Sequence, residues 1–275
     1  MKPAPFDYCR PGDMQEVLDL LARHGPEARI LAGGQSMMAM LNMRVATPKI
    51  LIDISALQSM DYIREAGDHI AVGCATRQVT LERWPGLHQK LPLIAKALPW
   101  VGHVQTRSRG TVCGSIAHAD PSSELPLCLV LLGGQVVLRS RRKSRVMTAG
   151  DFFLGALQTI RRDDEVIEEV RLPVLPEATG VAFQEMAIRH GDFAIVAAGA
   201  IADADGVSIA FGGGADYPIT KRLPLLEGEA LKAALNALAW SFEFQDDLHA
   251  TAAYRRHLVR MLGQKTIKEA VACRS

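Results

Sequence analysis

Apolar and polar positions change period repeatedly along the first fifty residues. Val17, Leu18 and Leu21 fall on one stripe behind Asp13, and Glu16 stands three residues after that acid, which predicts a helix with a capped start. Gly25-Pro26 ends it. A short apolar run, residues 29–32, reads as a buried strand; Gly33-Gly34 break it, and residues 37–41 resume as a short apolar helix. Residues 50–54 form a further apolar strand. The order is strand, helix, strand, helix, strand, folded around the Gly33-Gly34 turn.

From residue 57 the pattern predicts a second unit. Residues 62–65 and 69–74 read as a hairpin across Ala66-Gly67-Asp68. Residues 91–100 and 125–132 are apolar helices, 135–138 a strand, and Asp151-Phe152-Phe153 the start of a short helix; a strand over 166–172 ends at Pro173. Beyond residue 174 comes a meander, 181–188, 194–201 and 207–211, followed by helices over 228–241 and 249–262. Ala250, Ala253, His257 and Met261 recur at helical spacing and read as a packing face. Runs of strands followed by helices indicate an α+β fold.

Composition narrows the classes. The chain has 275 residues, 48% of them hydrophobic, enough to bury a full core in two domains. A net charge of +1 favours neither nucleic acid nor an acidic membrane. The basic run Arg139, Arg141, Arg142, Lys143, Arg145 lies between two short strands without interleaved aromatics and reads as a solvated hairpin tip. No apolar run is long enough to span a bilayer, and Met1 to Tyr8 carries no signal core. The five scattered cysteines form no CxxC pair, so a cytoplasmic location with reduced thiols is expected. The same scatter argues against an iron–sulfur cluster or a structural zinc held by this chain alone.

Two glycine-bearing stretches carry the candidate chemistry. Residues 107–126 gather Gly110, Gly114, the hydroxyls of Thr111 and Ser115, His118 and Asp120 in a turn-rich segment. Ser122, Ser123 and Glu124 read as a helix start with side-chain oxygens capping free N–H groups. Exposed amides beside a helix start can seat an anion, although an ordinary strand–turn–helix junction looks the same. Ile30-Leu31-Ala32-Gly33-Gly34-Gln35-Ser36-Met37 repeats the arrangement of strand, glycine turn, hydroxyl and helix. It is neither the three-glycine dinucleotide fingerprint nor a P-loop with its lysine. Two such loops predict a diphosphate gripped from two sides by backbone amides.

These residues carry a resemblance. Ala32-Gly33-Gly34-Gln35-Ser36, Arg109-Gly110-Thr111-Val112-x-Gly114-Ser115-x-Ala117-His118-Ala119-Asp120-Pro121, and Arg189-x-Gly191-Asp192-Phe193-Ala194 occur in that order. With the tail Asp246-Asp247-Leu248-His249-Ala250-x-Ala252-Ala253-Tyr254-Arg255, they resemble the FAD-binding (medium) subunit of molybdenum hydroxylases, the xanthine dehydrogenase and carbon monoxide dehydrogenase family. The resemblance implies an FAD-binding domain over 1–173, built of two α+β subdomains (about 1–56 and 57–173) that clasp the cofactor. A C-terminal flavoprotein domain, strand meander plus helices, follows over 174–275.

Carried over by the resemblance, Ile30, Leu31, Ala32, Gly33, Gly34, Gln35, Ser36 and Met37 wrap the FAD diphosphate. Thr111, Val112, Cys113, Gly114 and Ser115 wrap it from the other side, with Gly110 and Asp120 beside them. Glu124 matches an acid that binds the cofactor's ribose, and Val101 and Ile167 match apolar positions lining the cofactor. Asp192 and Phe193 fall where an acid and an aromatic ring approach the isoalloxazine. His118 is read equally as a flavin contact or as a hydrogen-bonding brace of its loop. Thr76-Arg77 is read either as a polar contact to the cofactor or as a surface helix cap.

Two positions depart from the family. Cys113 replaces a usual glycine, so either its φ is negative or the loop sits further from the phosphate. Gln184 stands where relatives often have a lysine near the flavin, which weakens the case for NAD as acceptor. The implied function is electron transfer: from two [2Fe–2S] clusters of a small partner subunit, through FAD on this chain, to an external acceptor. A large partner subunit would carry the molybdopterin cofactor, in a dimer of three-subunit units. The rival readings are a self-sufficient FAD-dependent oxidoreductase with its own substrate pocket, and a scaffold that has lost FAD.

Overall fold

The computed structural model of the chain describes residues 1–274. Asp13 sets the first helix, Met14–His24: its carboxylate accepts the Glu16 N–H at 2.9 Å, while Glu16 Oε2 accepts the Gly12 N–H at 2.8 Å. Met14, Val17, Leu18 and Leu21 are its buried stripe, packed on a small parallel sheet. That sheet comprises β1 (Asp7–Cys9), β2 (Ala28–Leu31) and β3 (Ile50–Asp53), in the order β1-β3-β2. Parallel neighbours need crossovers, supplied here by the first helix and by the short helix Met37–Asn42 between β2 and β3. The Gly33-Gly34 turn lies at the carboxyl end of β2.

A five-stranded antiparallel sheet follows. Its strands are β4 (Ile63–Ala66), β5 (His69–Gly73), β6 (Gln135–Arg139) and β7 (Ser144–Thr148); after a ribbon of β8 (Phe153–Gly155) and β9 (Gln158–Thr159) comes β10 (Val166–Pro173). The order is β4-β5-β10-β6-β7. Every pairing is antiparallel, and central β10 holds the sheet together. Arg139 to Arg145 do form a hairpin tip: β6 pairs with β7 and the turn lies at residues 140–143.

The meander comprises β11 (Gly180–Met186), β12 (Val196–Ala202), β13 (Val207–Gly212) and β14 (Ile219–Leu223), in sequential antiparallel order. β12, Val-Ala-Ala-Gly-Ala-Ile-Ala, is buried along its whole length because both faces of this sheet are covered. The helices Gly228–Ser241 and Ala252–Ala272 cover one face. Glu124–Leu131, apolar all round, covers the other and ties the meander to the N-terminal part. A Cβ on Gly199 of β12 would come within 2.9 Å of Leu131 and 3.0 Å of Leu127, so the small residues there are set by close helix–sheet approach.

Several expectations are corrected. Residues 112–118 are a helix, Val112–His118, not an irregular turn, because Thr111 caps it through Oγ1 to the Gly114 N–H at 3.0 Å. Ser123 is the N-cap of Glu124–Leu131 but makes no side-chain cap; the Ser122 N–H instead donates to Asp120 Oδ1 at 2.8 Å. Asp151 and Phe152 lie inside the helix Ala149–Phe152, capped by Thr148, and Phe153 begins a strand. Strand β14 was not foreseen. The last helix runs ten residues past Leu262, since Gly263 is a packing glycine there: its Cβ would lie 2.7 Å from Leu235. Ala253, His257 and Met261 lie on that helix's exposed side; Leu258, Val259, Leu262, Ile267 and Ala270 make the packing face.

Candidate cofactor site

A cleft of about 1560 Å³ opens between the N-terminal part and the meander, above the roughly 300–1,000 Å³ of drug-sized pockets. Its walls gather Ile30, Ala32, Gly33, Gly34, Gln35, Ser36 and Met37 from the β2 turn. Gly110, Thr111, Cys113, Gly114, Ser115, His118, Asp120 and Glu124 come from the central stretch, and Val101, Ile167, Asp192 and Phe193 complete the expected set. Three expected residues stand apart. Leu31 and Val112 do not line the cleft, and Val112 is buried in the core. Gln184 faces the C-terminal helix, where its Nε2 donates to Glu269 Oε2 at 2.7 Å. The residue at position 184 therefore does not bear on which acceptor the cleft can take.

The two glycine loops touch. A Cβ on Gly33 would lie 2.3 Å from the Arg109 carbonyl oxygen and 2.6 Å from Gly110 Cα, so only glycine lets them meet. Gly34 turns the chain with φ 73°. The N–H groups of Gly33, Gly34, Gln35 and Ser36 donate to no acceptor among the described residues. Orphan amides lining a cleft fit a phosphate-bearing ligand. The second loop offers less than the sequence promised, because Thr111 has taken the Gly114 amide. Thr76 and Arg77 brace this loop from behind: the Val112 N–H donates to the Thr76 carbonyl at 3.1 Å, and Arg77 pairs with Thr111 in a single bridge.

Glu124 is 7% exposed and lines the cleft. Burial pushes its carboxyl up to about 7, and nearby Asp120 adds to this; its own N–H at the helix start and the Arg107 field work the other way. A buried acid facing an open cleft fits a ligand bringing hydroxyl donors. Gln78, which the sequence did not single out, lies in the same wall with its buried Oε1 lacking a donor. These features fit FAD: free amides for a diphosphate, an acid for a sugar, and the apolar Val101, Val166 and Ile167 for a ring.

Cys113 resolves its alternatives. It lies within the helix Val112–His118, outside the left-handed region, and its Sγ turns inward to the Val72 carbonyl at 3.5 Å. Burial raises that thiol well above its ordinary value, which removes thiolate reactivity. The His118 side chain makes no hydrogen bond among the described residues and the residue lines the cleft, so no side-chain bond braces its loop. Asp192 and Phe193 ride on a loop from the C-terminal part, and Phe193 is 68% exposed. That loop rests on the N-terminal part through His190, edge-on to Trp100 at 5.5 Å, and through Gly191, whose φ of 86° and closeness to the His103 ring exclude a side chain.

Sequence reasoning gave no site role to the far wall: Gly213 to Tyr217, Ser241 to Glu243, Gln245 to Asp247, His249 and Arg255. Two signals pointed there: the triplet Gly212-Gly213-Gly214, in which Gly213 has φ 86°, and the tail with Asp246, Asp247, His249 and Arg255. Arg161 was missed too; its Nη1 donates to the Arg162 and Glu165 carbonyls at 2.8 and 2.7 Å as it lines the cleft. Among the described residues, no helix is long and apolar enough to cross a membrane.

Comparison with known proteins agrees with this geometry. Residues 4–175 match the family model described as the FAD binding domain in molybdopterin dehydrogenase, and residues 181–270 match the CO dehydrogenase flavoprotein C-terminal domain. The caffeine dehydrogenase subunit beta of a Pseudomonas species is 40% identical over 70% of this chain and 66% of its own. The nicotine 6-hydroxylase medium subunit of Paenarthrobacter nicotinovorans is 34% identical over 99% of both. A solved carbon monoxide dehydrogenase from Hydrogenophaga pseudoflava superposes with a TM-score of 0.94 at 29% identity, covering 100% of both chains. The chain belongs to the family of FAD-binding medium subunits of molybdopterin dehydrogenases, with FAD as the cofactor of its N-terminal domain.

Proposed function

We propose that this chain is the FAD-carrying electron-transfer subunit of a molybdenum hydroxylase, relaying electrons from [2Fe–2S] clusters of a small partner to an external acceptor. A large partner subunit carries the molybdopterin cofactor and the substrate, and the three associate as a dimer of trimers. The division of labour within the chain is an FAD-binding domain over 1–173 and a C-terminal domain over 174–275. The observation that carries the reading is the contact of two glycine loops over a cleft whose amides at Gly33 to Ser36 are unpartnered. A flavin, when bound, exchanges electrons singly or in pairs, which suits a relay between one-electron clusters and other acceptors.

The chain's residues supply binding, orientation and shielding. Gly33 to Ser36 present amides to the diphosphate, and Glu124 accepts sugar hydroxyls. Val101 and Ile167 give the cofactor an apolar lining, and Asp192 with Phe193 covers the isoalloxazine end from the C-terminal part. Addition of dithionite to the isolated chain loaded with FAD should bleach its visible band, whereas an N-heterocycle or an aldehyde should not. Rapid bleaching by such a substrate, with no partner present, would establish the self-sufficient oxidoreductase instead.

A further inference from the structure

Glu185, on β11, is a buried carboxyl to which the cofactor site assigns no task. It is 7% exposed, and neither carboxyl oxygen has a hydrogen-bond partner. Glu165 and Glu169, also buried, are satisfied: Glu165 holds Arg145, and Glu169 holds Tyr62 and Arg171. An unpartnered buried carboxyl stays neutral rather than carry an uncompensated charge.

Glu185 pairs with Ala197, and Ala197 with Gly212, where a Cβ would lie 3.0 Å from the Pro121 carbonyl oxygen and 3.1 Å from Leu127. This face of the sheet therefore packs on the helix Glu124–Leu131, and the carboxylate whose field reaches Glu185 is Glu124, in the cleft wall. The two acids have unequal surroundings. Glu124 opens the eight-residue helix Glu124–Leu131, where the helix dipole, its own N–H and the Arg107 field all favour its anion. Glu185 has none of these. Its cross-strand neighbour on β12 is Ala197. Lys96 of the helix Pro92–Ala97 and Glu269 of the C-terminal helix bond to each other and, through Glu269, to Gln184, which faces the opposite side of β11. Cys128, in the field of Glu124, is a thiol raised well above its ordinary value. Burial and the Glu124 field push Glu185 up to about 8, against about 7 for Glu124.

We propose that Glu185 is a positioning residue for the cofactor's sugar: it stores a proton behind Glu124, so that the pair carries one negative charge, on the carboxylate that accepts the sugar hydroxyls. This rests on the reading that FAD fills the cleft with its sugar at Glu124. When Glu185 loses its proton, a second charge appears behind Glu124 in a poorly solvated seam, beside a ligand that is itself anionic, and binding weakens.

The test is FAD titration of the full chain, followed by flavin fluorescence from pH 6 to 9.5. Wild-type affinity should rise towards neutrality as Glu124 ionises. Above about pH 8 it should fall by up to about tenfold per pH unit, the slope of one linked proton. Glu185→Gln and Glu185→Leu should keep neutral-pH affinity within about twofold and abolish the alkaline fall, and Glu185→Asp should retain it. Glu124→Gln should lose the acidic limb. A purely structural Glu185 would change overall affinity and leave the pH profile in place. An alkaline fall that persists in both neutral variants, or a wild-type profile flat from pH 7.5 to 9.5, overturns the proposal alone. Failure of the wild type to bind FAD at any pH overturns the cofactor reading, and the proposal with it.

Discussion

Gly33→Ala isolates the contact on which the cofactor cleft is built. The new Cβ would meet the Arg109 carbonyl oxygen at 2.3 Å, Gly110 Cα at 2.6 Å and the Arg109 carbonyl carbon at 2.8 Å. All three are backbone atoms, so no side-chain rotation relieves the clash. Gly33 itself lies outside the left-handed region, unlike its neighbour Gly34, so alanine there is not strained by conformation. Restoring carbon contacts of roughly 3.5 Å requires the two loops to part by about an ångström. Overpacking of this kind costs roughly 1–3 kcal/mol. In a chain this size that is a fall in melting temperature of roughly 2–12 °C. If the parted loops no longer grip one diphosphate together, the same energy weakens FAD by about 5- to 150-fold. Thermal melting of the apo chain and fluorescence titration with FAD measure the two effects. Gly67→Ala is the control: its φ is 70° and nothing lies within 4 Å, so it should lower the melting point and leave FAD affinity unchanged. A Gly33→Ala chain that binds FAD within about twofold of wild type would refute the argument that loop contact shapes the site.

Cys113→Gly restores a glycine of the family pattern, yet it should lower stability by about 2 kcal/mol, because it empties a buried position and places glycine within a helix; urea unfolding checks this. Glu165→Gln breaks a two-pronged pair with Arg145, both contacts at 2.8 Å, and should cost about 3 kcal/mol in the same assay. Glu165 and Glu169 are held below the ordinary carboxylate value, so their contribution is present above about pH 4.5 and lost as pH falls through their folded values; acid titration of stability should show it. Glu185 has the opposite sign. Its raised carboxyl withdraws stability as pH climbs from about 4.5 to about 8, and Glu185→Gln should flatten that decline in melts of the apo chain. Phe193→Ala should leave apo stability within about 0.5 kcal/mol, since the ring is 68% exposed, while increasing iodide quenching of the bound flavin.

Much of the architecture was legible because local signals agreed with tertiary burial. Asp13 and Glu16 announced the first helix, the Ala66-Gly67-Asp68 turn fixed a hairpin, and continuous apolar runs marked the buried elements. The failures came where tertiary context outweighed local pattern. Gly110 and Gly114 made residues 107–126 look like loop, but the Thr111 cap stabilises a helix through Gly114. The last helix was expected to end at Leu262, but it continues through Gly263, whose absent side chain admits Leu235 and Phe211. β14, Ile-Thr-Lys-Arg-Leu, is a half-exposed edge strand whose pattern carries no strong alternation. In the site, glycines and acids could be found from sequence, whereas facing could not: Gln184 differs from Glu185 by one residue, and the strand's pleat sends the two to opposite faces. The unpartnered Oε1 of Gln78 and oxygens of Glu185 exist only because other groups surround them, so no motif records them.

The central claim is that this cleft holds FAD through its glycine-loop amides. The most direct measurement is a visible absorption spectrum of the purified chain, with mass identification of whatever heat releases. The account predicts a flavin band and released FAD, one per chain, either as isolated or after incubation with the cofactor. A colourless chain that takes up no FAD on incubation, or one that releases FMN alone, would contradict it.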